Sequence, residues 1–250
     1  MNSIKIEYDW LKKLLPEGFP YPTSTLISGP GGTGKPLVEF AFVASWLKFG
    51  GSIVGIPLQY PAMELVKTAM DKLYNLDLKN YPGKIVFIQF DPHIDTYEEL
   101  EGNVLKANLL KPKVWNSVIK IADNMIEKSD LGTLVFGSAL NLLLFSPTYK
   151  NDAIENLMNI IKNDKSKTYL FSVSISAFAD EIKLWEEAAD NLMYTRMEKP
   201  MRLFFKIIKM KEVKFSREEM QVPISEEMLG EIKETAEATR KRIIPEIMNI

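Results

Sequence analysis

The chain contains no cysteine, which excludes disulfides, thiolate metal sites and a cysteine nucleophile. Its only histidine, His93, stands between Asp91 and Asp95. Alternate residues of this kind in a loop read as plain surface in preference to a metal site. Apolar runs are short: the longest, Leu131 to Phe145, falls below the ~18 residues of a membrane span. It reads as a buried strand and the start of a helix. Excess charge is also missing. A net charge of −2 at pH 7 gives no global pull on nucleic acid, so such binding needs a local basic patch. Met1 to Glu7 is mixed and charged, without the pattern of a signal peptide. A soluble, cytoplasmic protein without membrane attachment is the expectation. No repeat, low-complexity tract or domain boundary stands out, and 250 residues with 46% apolar content fit one α/β domain with a full core.

What is present is a phosphate-binding pattern with one position changed. Gly29-Pro30-Gly31-Gly32-Thr33-Gly34-Lys35 satisfies G-x-x-x-x-G-K, but the Ser or Thr that should follow is Pro36. Backbone N–H groups and a helix N-terminus cradle phosphate oxygens in such a loop, the lysine neutralises charge, and the hydroxyl holds Mg²⁺. Proline brings neither a hydroxyl nor an N–H. The flanks fit the motif: Thr25–Ser28 reads as a buried strand, and Leu37–Lys48 as an apolar helix closed by Gly50-Gly51. Pro36 suits the first turn of that helix. Gly29, Gly31, Gly32, Thr33, Gly34 and Lys35 are therefore the candidate nucleotide contacts, of weak affinity.

Strands and helices alternate after a helical lead-in at Tyr8–Leu15. Strands are expected at Leu26–Ser28, Ser52–Leu58, Lys84–Phe90, Thr133–Phe136 and Thr168–Ser174. Helices are expected at Met63–Tyr74 and Asp152–Asn163, with a helical region between Tyr97 and Lys128 whose Thr96 and Glu99 form a capping box. Continuous apolar strands between helices predict a mostly parallel sheet covered on both faces. Asn191–Met197 and Arg202–Met210, with a turn at Glu198–Met201, predict a closing antiparallel hairpin. A terminal helix is expected from Ser225 to before Pro245, docked through Leu229, Ile232, Ala236 and Ile243. Trp10, Trp46, Trp115 and Trp185 sit in apolar helical contexts and read as packing residues. The organisation is thus one domain over 1–250, with a lead-in at 1–24 and a terminal helix at 225–245.

Pro22 to Gly29, Glu186 to Met193, and Lys209 to Ile224 together resemble the RecA-like P-loop ATPases, in particular the KaiC-like and archaeal RadA-paralogue group. The resemblance covers most of the chain and implies a RecA-like α/β fold, ATP as ligand, and assembly with itself or with a RecA, RadA or KaiC-type ATPase. It also exposes three departures. Pro36 replaces the P-loop hydroxyl. Gly137 in Phe136-Gly137-Ser138 stands where the Walker B aspartate is expected. Gln59 and Tyr60, after Gly55-Ile56-Pro57-Leu58, stand on the two carboxylates of which one activates water. Glutamine orients water but is a poor proton acceptor. Each lost contribution is worth about 10²–10⁴ in rate. No residue is therefore assigned as catalytic or as a metal ligand, and ATP or ADP is expected to bind at most weakly, without Mg²⁺.

Two further features carry competing readings. Lys209-Met210-Lys211 lies where the family's K-x-R-G-x-x-H segment reaches a neighbouring subunit, and it equally fits a lysine-protected edge strand. Lys206, Lys209, Lys211 and Lys214 also suit a nucleic-acid contact, although aromatics for stacking are missing. The expected function is that of a catalytically defective RecA/KaiC-like protein acting as a regulatory or structural partner of an ATPase assembly. The alternatives are an ATPase with unusual Mg²⁺ ligation, drawing on Asp91 or Asp95, and a single-stranded-DNA-binding recombination mediator.

Overall fold

The computed structural model describes residues 2–58 and 63–250. A small hairpin, β1 (Asn2–Ile4) with β2 (Phe19–Tyr21), encloses α1 (Asp9–Leu14) and leads into β3 (Ser24–Ser28). The phosphate loop joins β3 to α2 (Lys35–Lys48). Then follow β4 (Ser52–Pro57), α3 (Met63–Tyr74), β5 (Ile85–Phe90), β6 (Tyr97–Leu100), β7 (Val104–Ala107) and α4 (Pro112–Met125). The second half runs β8 (Thr133–Ser138), α5 (Lys150–Asn163), β9 (Thr168–Ser172), α6 (Ala179–Ala188), β10 (Asn191–Glu198), β11 (Arg202–Lys209), β12 (Met220–Gln221) and α7 (Glu226–Met248).

Ten of these strands form one sheet in the order β12-β11-β10-β3-β9-β8-β4-β5-β7-β6. From β10 to β7 every neighbouring pair is parallel, while β11, β12 and β6 join antiparallel. Strand residues alternate between two cores, as the period of two demands. Ile27, Leu134 and Phe136 face one with α1, α2 and α3, whereas Leu26 and Val135 face the other with α4, α5 and α6. The expected α/β architecture, its parallel sheet, closing hairpin and terminal helix are therefore all present. Trp46, Trp115 and Trp185 are fully buried, and Trp10 packs edge-on against Phe205.

Three local expectations are corrected. The region after Tyr97 is not helical at first: Tyr97–Leu100 and Val104–Ala107 pair as an antiparallel hairpin, and the capping box at Thr96 does not form. Helix begins only at Pro112. Every residue of Tyr97–Leu100 is exposed, so no buried stripe marks it in the sequence, and pairing with β7 decides its shape. The terminal helix passes through Pro245 to Met248, because Ile247 beyond the proline is fully buried against the second core. β11 ends at Lys209, so Lys211 falls in the following bend, not on the same strand face.

Candidate functional site

The loop Gly29–Lys35 leaves β3 at its C-terminal end, between β10 and β9, where ligands of open α/β sheets bind. Its glycines are set by close approach. A Cβ on Gly29 (φ +145°) would lie 2.3 Å from the Thr195 carbonyl oxygen of β10. Gly34 takes a left-handed conformation at the N-cap of α2, and Pro36 occupies the first turn without disturbing it, as its fixed φ allows. Thr33 and Thr195 share a hydrogen bond at 2.7 Å, tying the loop to β10. Lys35 is buried and turned inward: Nζ donates to the Gly29 carbonyl at 3.0 Å, the Pro30 carbonyl at 2.6 Å and Thr33 Oγ1 at 3.2 Å.

Above the loop lies α7. Leu229, Ile232, Lys233 and Ala236, with Met197, close over Gly32–Pro36. The remaining space is about 20 Å³, room for about one water and not for a phosphate group. A Cβ on Gly31 would sit 3.3 Å from Arg240 Nη1, and one on Gly32 3.7 Å from Lys233 Cε. The terminal helix was expected to dock, and it docks on the phosphate loop.

One turn beyond Lys35, Glu39 is wholly buried. Its Oε2 accepts a hydrogen bond from the Ser138 hydroxyl at 2.5 Å, and Oε1 has no hydrogen-bond partner. Burial pushes the Glu39 carboxyl up to about 8, against the opposing pull of Ser138, Ser172 and Lys35. Burial also lowers Lys35, helped by the Arg240 cation and resisted by Glu39, to about 7. Glu39 escaped notice in the sequence, although a lone acid inside the apolar helix LVEFAFVASWLK, four residues after the loop lysine, was the available signal.

The remaining candidates lie as follows. Gly137 sits within β8 beside Ile56 and Phe171. A Cβ there would meet Leu140 at 3.1 Å and Phe171 at 3.2 Å, so apolar side chains fill the space that an aspartate would need. Gln59 and Tyr60 lie outside the described residues. Asp91 pairs with Lys106 at 2.7 Å, Asp95 with Lys111 at 3.4 Å, and His93 faces Glu246 at 3.8 Å. These acids are thus taken up singly, and among the described residues no three His, Asp or Glu side chains are grouped to hold a metal ion. Lys209 donates to the Glu186 and Glu187 carbonyls, both at 3.1 Å, closing the C-terminus of α6, and Lys211 pairs with Asp190 at 3.0 Å. Lys214 lies 3.6 Å from Glu17, and Lys206 covers the Tyr194 ring. All four lysines of the basic segment therefore have partners inside the chain. No helix among the described residues is long and apolar enough to cross a membrane.

No protein-family model matches the chain, and no curated protein matches it by sequence. Similarity appears at the level of structure. A KaiC-like protein from the hyperthermophilic archaeon Pyrococcus horikoshii OT3 superposes with a TM-score of 0.66 at 17% identity, covering 90% of this chain and 95% of that one. The flagellar accessory protein FlaH from Methanocaldococcus jannaschii gives a TM-score of 0.66 at 15% identity, covering 90% and 96%. With its mostly parallel sheet flanked by helices, its phosphate loop after β3 and its closing hairpin, the chain shares the α/β fold of the KaiC-like protein and of FlaH, the fold that the RecA-like resemblance implied.

Proposed function

We propose that this chain is a RecA-fold protein without ATPase chemistry, serving as a regulatory or structural partner of an ATPase assembly or of its own copies. The observation that carries this is the closed phosphate loop: α7 leaves about 20 Å³ above Gly32–Pro36. Phosphoryl transfer depends on positioning and charge neutralisation around Mg·ATP. Pro36 offers no hydroxyl to a metal, and Leu140 and Phe171 occupy the space beside Gly137. Lys35 spends its donors on its own loop. ATP or ADP binds at most weakly and without Mg²⁺. An accessory role, the word in the name of one similar structure, agrees with such a protein. A nucleic-acid role is disfavoured by the internal partners of Lys209 and Lys211.

Phosphate release from ATP, measured beside calorimetric titrations with ATP and ADP with and without Mg²⁺, tests the proposal. Turnover at background level and at most weak, metal-independent binding are expected. Micromolar, Mg²⁺-dependent ATP binding or measurable turnover overturns it. The partner role is checked separately by recovering an ATPase with the tagged chain from nuclease-treated lysate.

A further inference from the structure

The helix that closes the loop is held differently from the rest of the fold. α2 buries every residue from Lys35 to Leu47. α7, spanning 23 residues, buries only Leu229, Ile232, Ala236, Thr239, Ile243 and Ile247, one stripe at helical spacing. Its two ends also differ. The C-terminal end is anchored: Ile243 and Ile247 enter the second core, Glu246 faces His93, and the Ile250 carbonyl accepts a hydrogen bond from Thr148. The N-terminal half enters the first core through Leu229, Ile232 and Ala236. It is reached from β11 through residues 210–225, whose only strand is the two-residue β12. Elements with few buried apolar contacts open at lower free energy than the global fold.

Electrostatics act in the same direction. Lys233 and Arg240 of α7 come down on a loop that already holds Lys35 and the positive end of α2. The acids facing this cluster are Glu237, 4.0 Å from Lys233 on α7 itself, and the buried Glu39 beneath. The covering half of α7 is thus pressed onto the loop by apolar contact and opposed by like charge. Since the gap admits no phosphate group, a phosphate chain and the closed helix exclude one another.

From this we infer that the N-terminal half of α7 is a displaceable strap, opening as a unit separate from the core, and that a phosphate chain at Gly31–Lys35 holds it open. A ligand shifts such an equilibrium only by its differential affinity for the two states, and here the closed state has none. The inference goes beyond the proposed lack of ATPase chemistry, which holds whether α7 moves or not.

The cysteine-free sequence makes the test direct. Ala236→Cys places one thiol under the strap, and Ala44→Cys places one in α2, where only global opening exposes it. Maleimide modification of the folded full-length proteins is timed in EDTA, with and without pyrophosphate. Modification at least tenfold faster at 236 than at 44 is expected, with a further increase of threefold or more at 236 alone when pyrophosphate is added. Equal rates at the two sites overturn the strap, and a pyrophosphate effect that is absent or protective at 236 overturns the mutual exclusion. Should Ala236→Cys fold poorly by circular dichroism, Ile232→Cys on the same buried stripe gives the same reading. ATP turnover would refute the proposed function and leave these rates unaffected, whereas equal rates would refute the strap alone.

Discussion

Replacing Glu39 by glutamine should make the protein less stable in acid and more stable in alkali than the parent. The side chain is wholly buried, and its carboxyl titrates near 8 in place of 4.5. At about 1.4 kcal/mol per tenfold change in proton affinity, ionising it in place costs up to about 5 kcal/mol. The sign follows from proton uptake. Between pH 4.5 and 8 the folded state holds a proton that the unfolded chain has released, so the Glu39 contribution falls as pH rises through this window. Glutamine does not titrate. It retains an acceptor for the Ser138 hydroxyl but buries an extra N–H, at a pH-independent cost of about 1–3 kcal/mol. Lys35 titrates in both proteins and largely cancels. Urea unfolding at pH 5, 7 and 9 is the assay. The stability of Glu39→Gln relative to the parent should rise by about 2–4 kcal/mol from pH 5 to pH 9, crossing from deficit to advantage. A difference that stays constant with pH would refute the buried, protonated carboxyl.

Gly137→Asp is expected to lose about 3 kcal/mol or more and to bring no ATP turnover, because its Cβ meets Leu140 and Phe171 and its charge would be buried within β8. A thermal melt beside phosphate release checks this, and parental stability with new turnover would contradict it. Gly29→Ala should cost about 2–4 kcal/mol in urea unfolding, since its Cβ would collide with the Thr195 carbonyl at 2.3 Å from a φ of +145°. Burial works against the charge on Asp190, yet hydrogen bonds from Lys165, the Ser24 backbone and Lys211 hold its carboxyl below the usual range. Its stabilisation is therefore present above about pH 4 and lost as pH falls through the lowered value. Asp190→Asn should be about 1–3 kcal/mol less stable at pH 7, with the deficit shrinking toward pH 2 in an acid-unfolding series.

The loop, its flanking strand and helix, the parallel sheet and the closing hairpin were legible because each is written locally. Glycines mark the turn, Pro36 fits a first helical turn, and continuous apolar runs mark strands covered on both faces. The Tyr97–Leu100 strand was not legible, because an edge segment exposed along its whole length carries no burial pattern and takes its form from β7. Glu39 is written plainly in the sequence. Its meaning is not, since only the fold brings Ser138 and Ser172 against it, about a hundred or more residues further along the chain.

By itself, the sequence determined the α/β scaffold, its phosphate loop and the proline that follows Lys35. Helical and strand periods, glycine turns and side-chain chemistry are properties of neighbouring residues. Only the tertiary structure decided that α7 lies on the phosphate loop, that Leu140 and Phe171 pack beside Gly137, and that Lys209 and Lys211 are satisfied within the chain. Those outcomes depend on which distant segments meet when the two cores close, and α7 meets Gly31–Pro36 across some two hundred intervening residues.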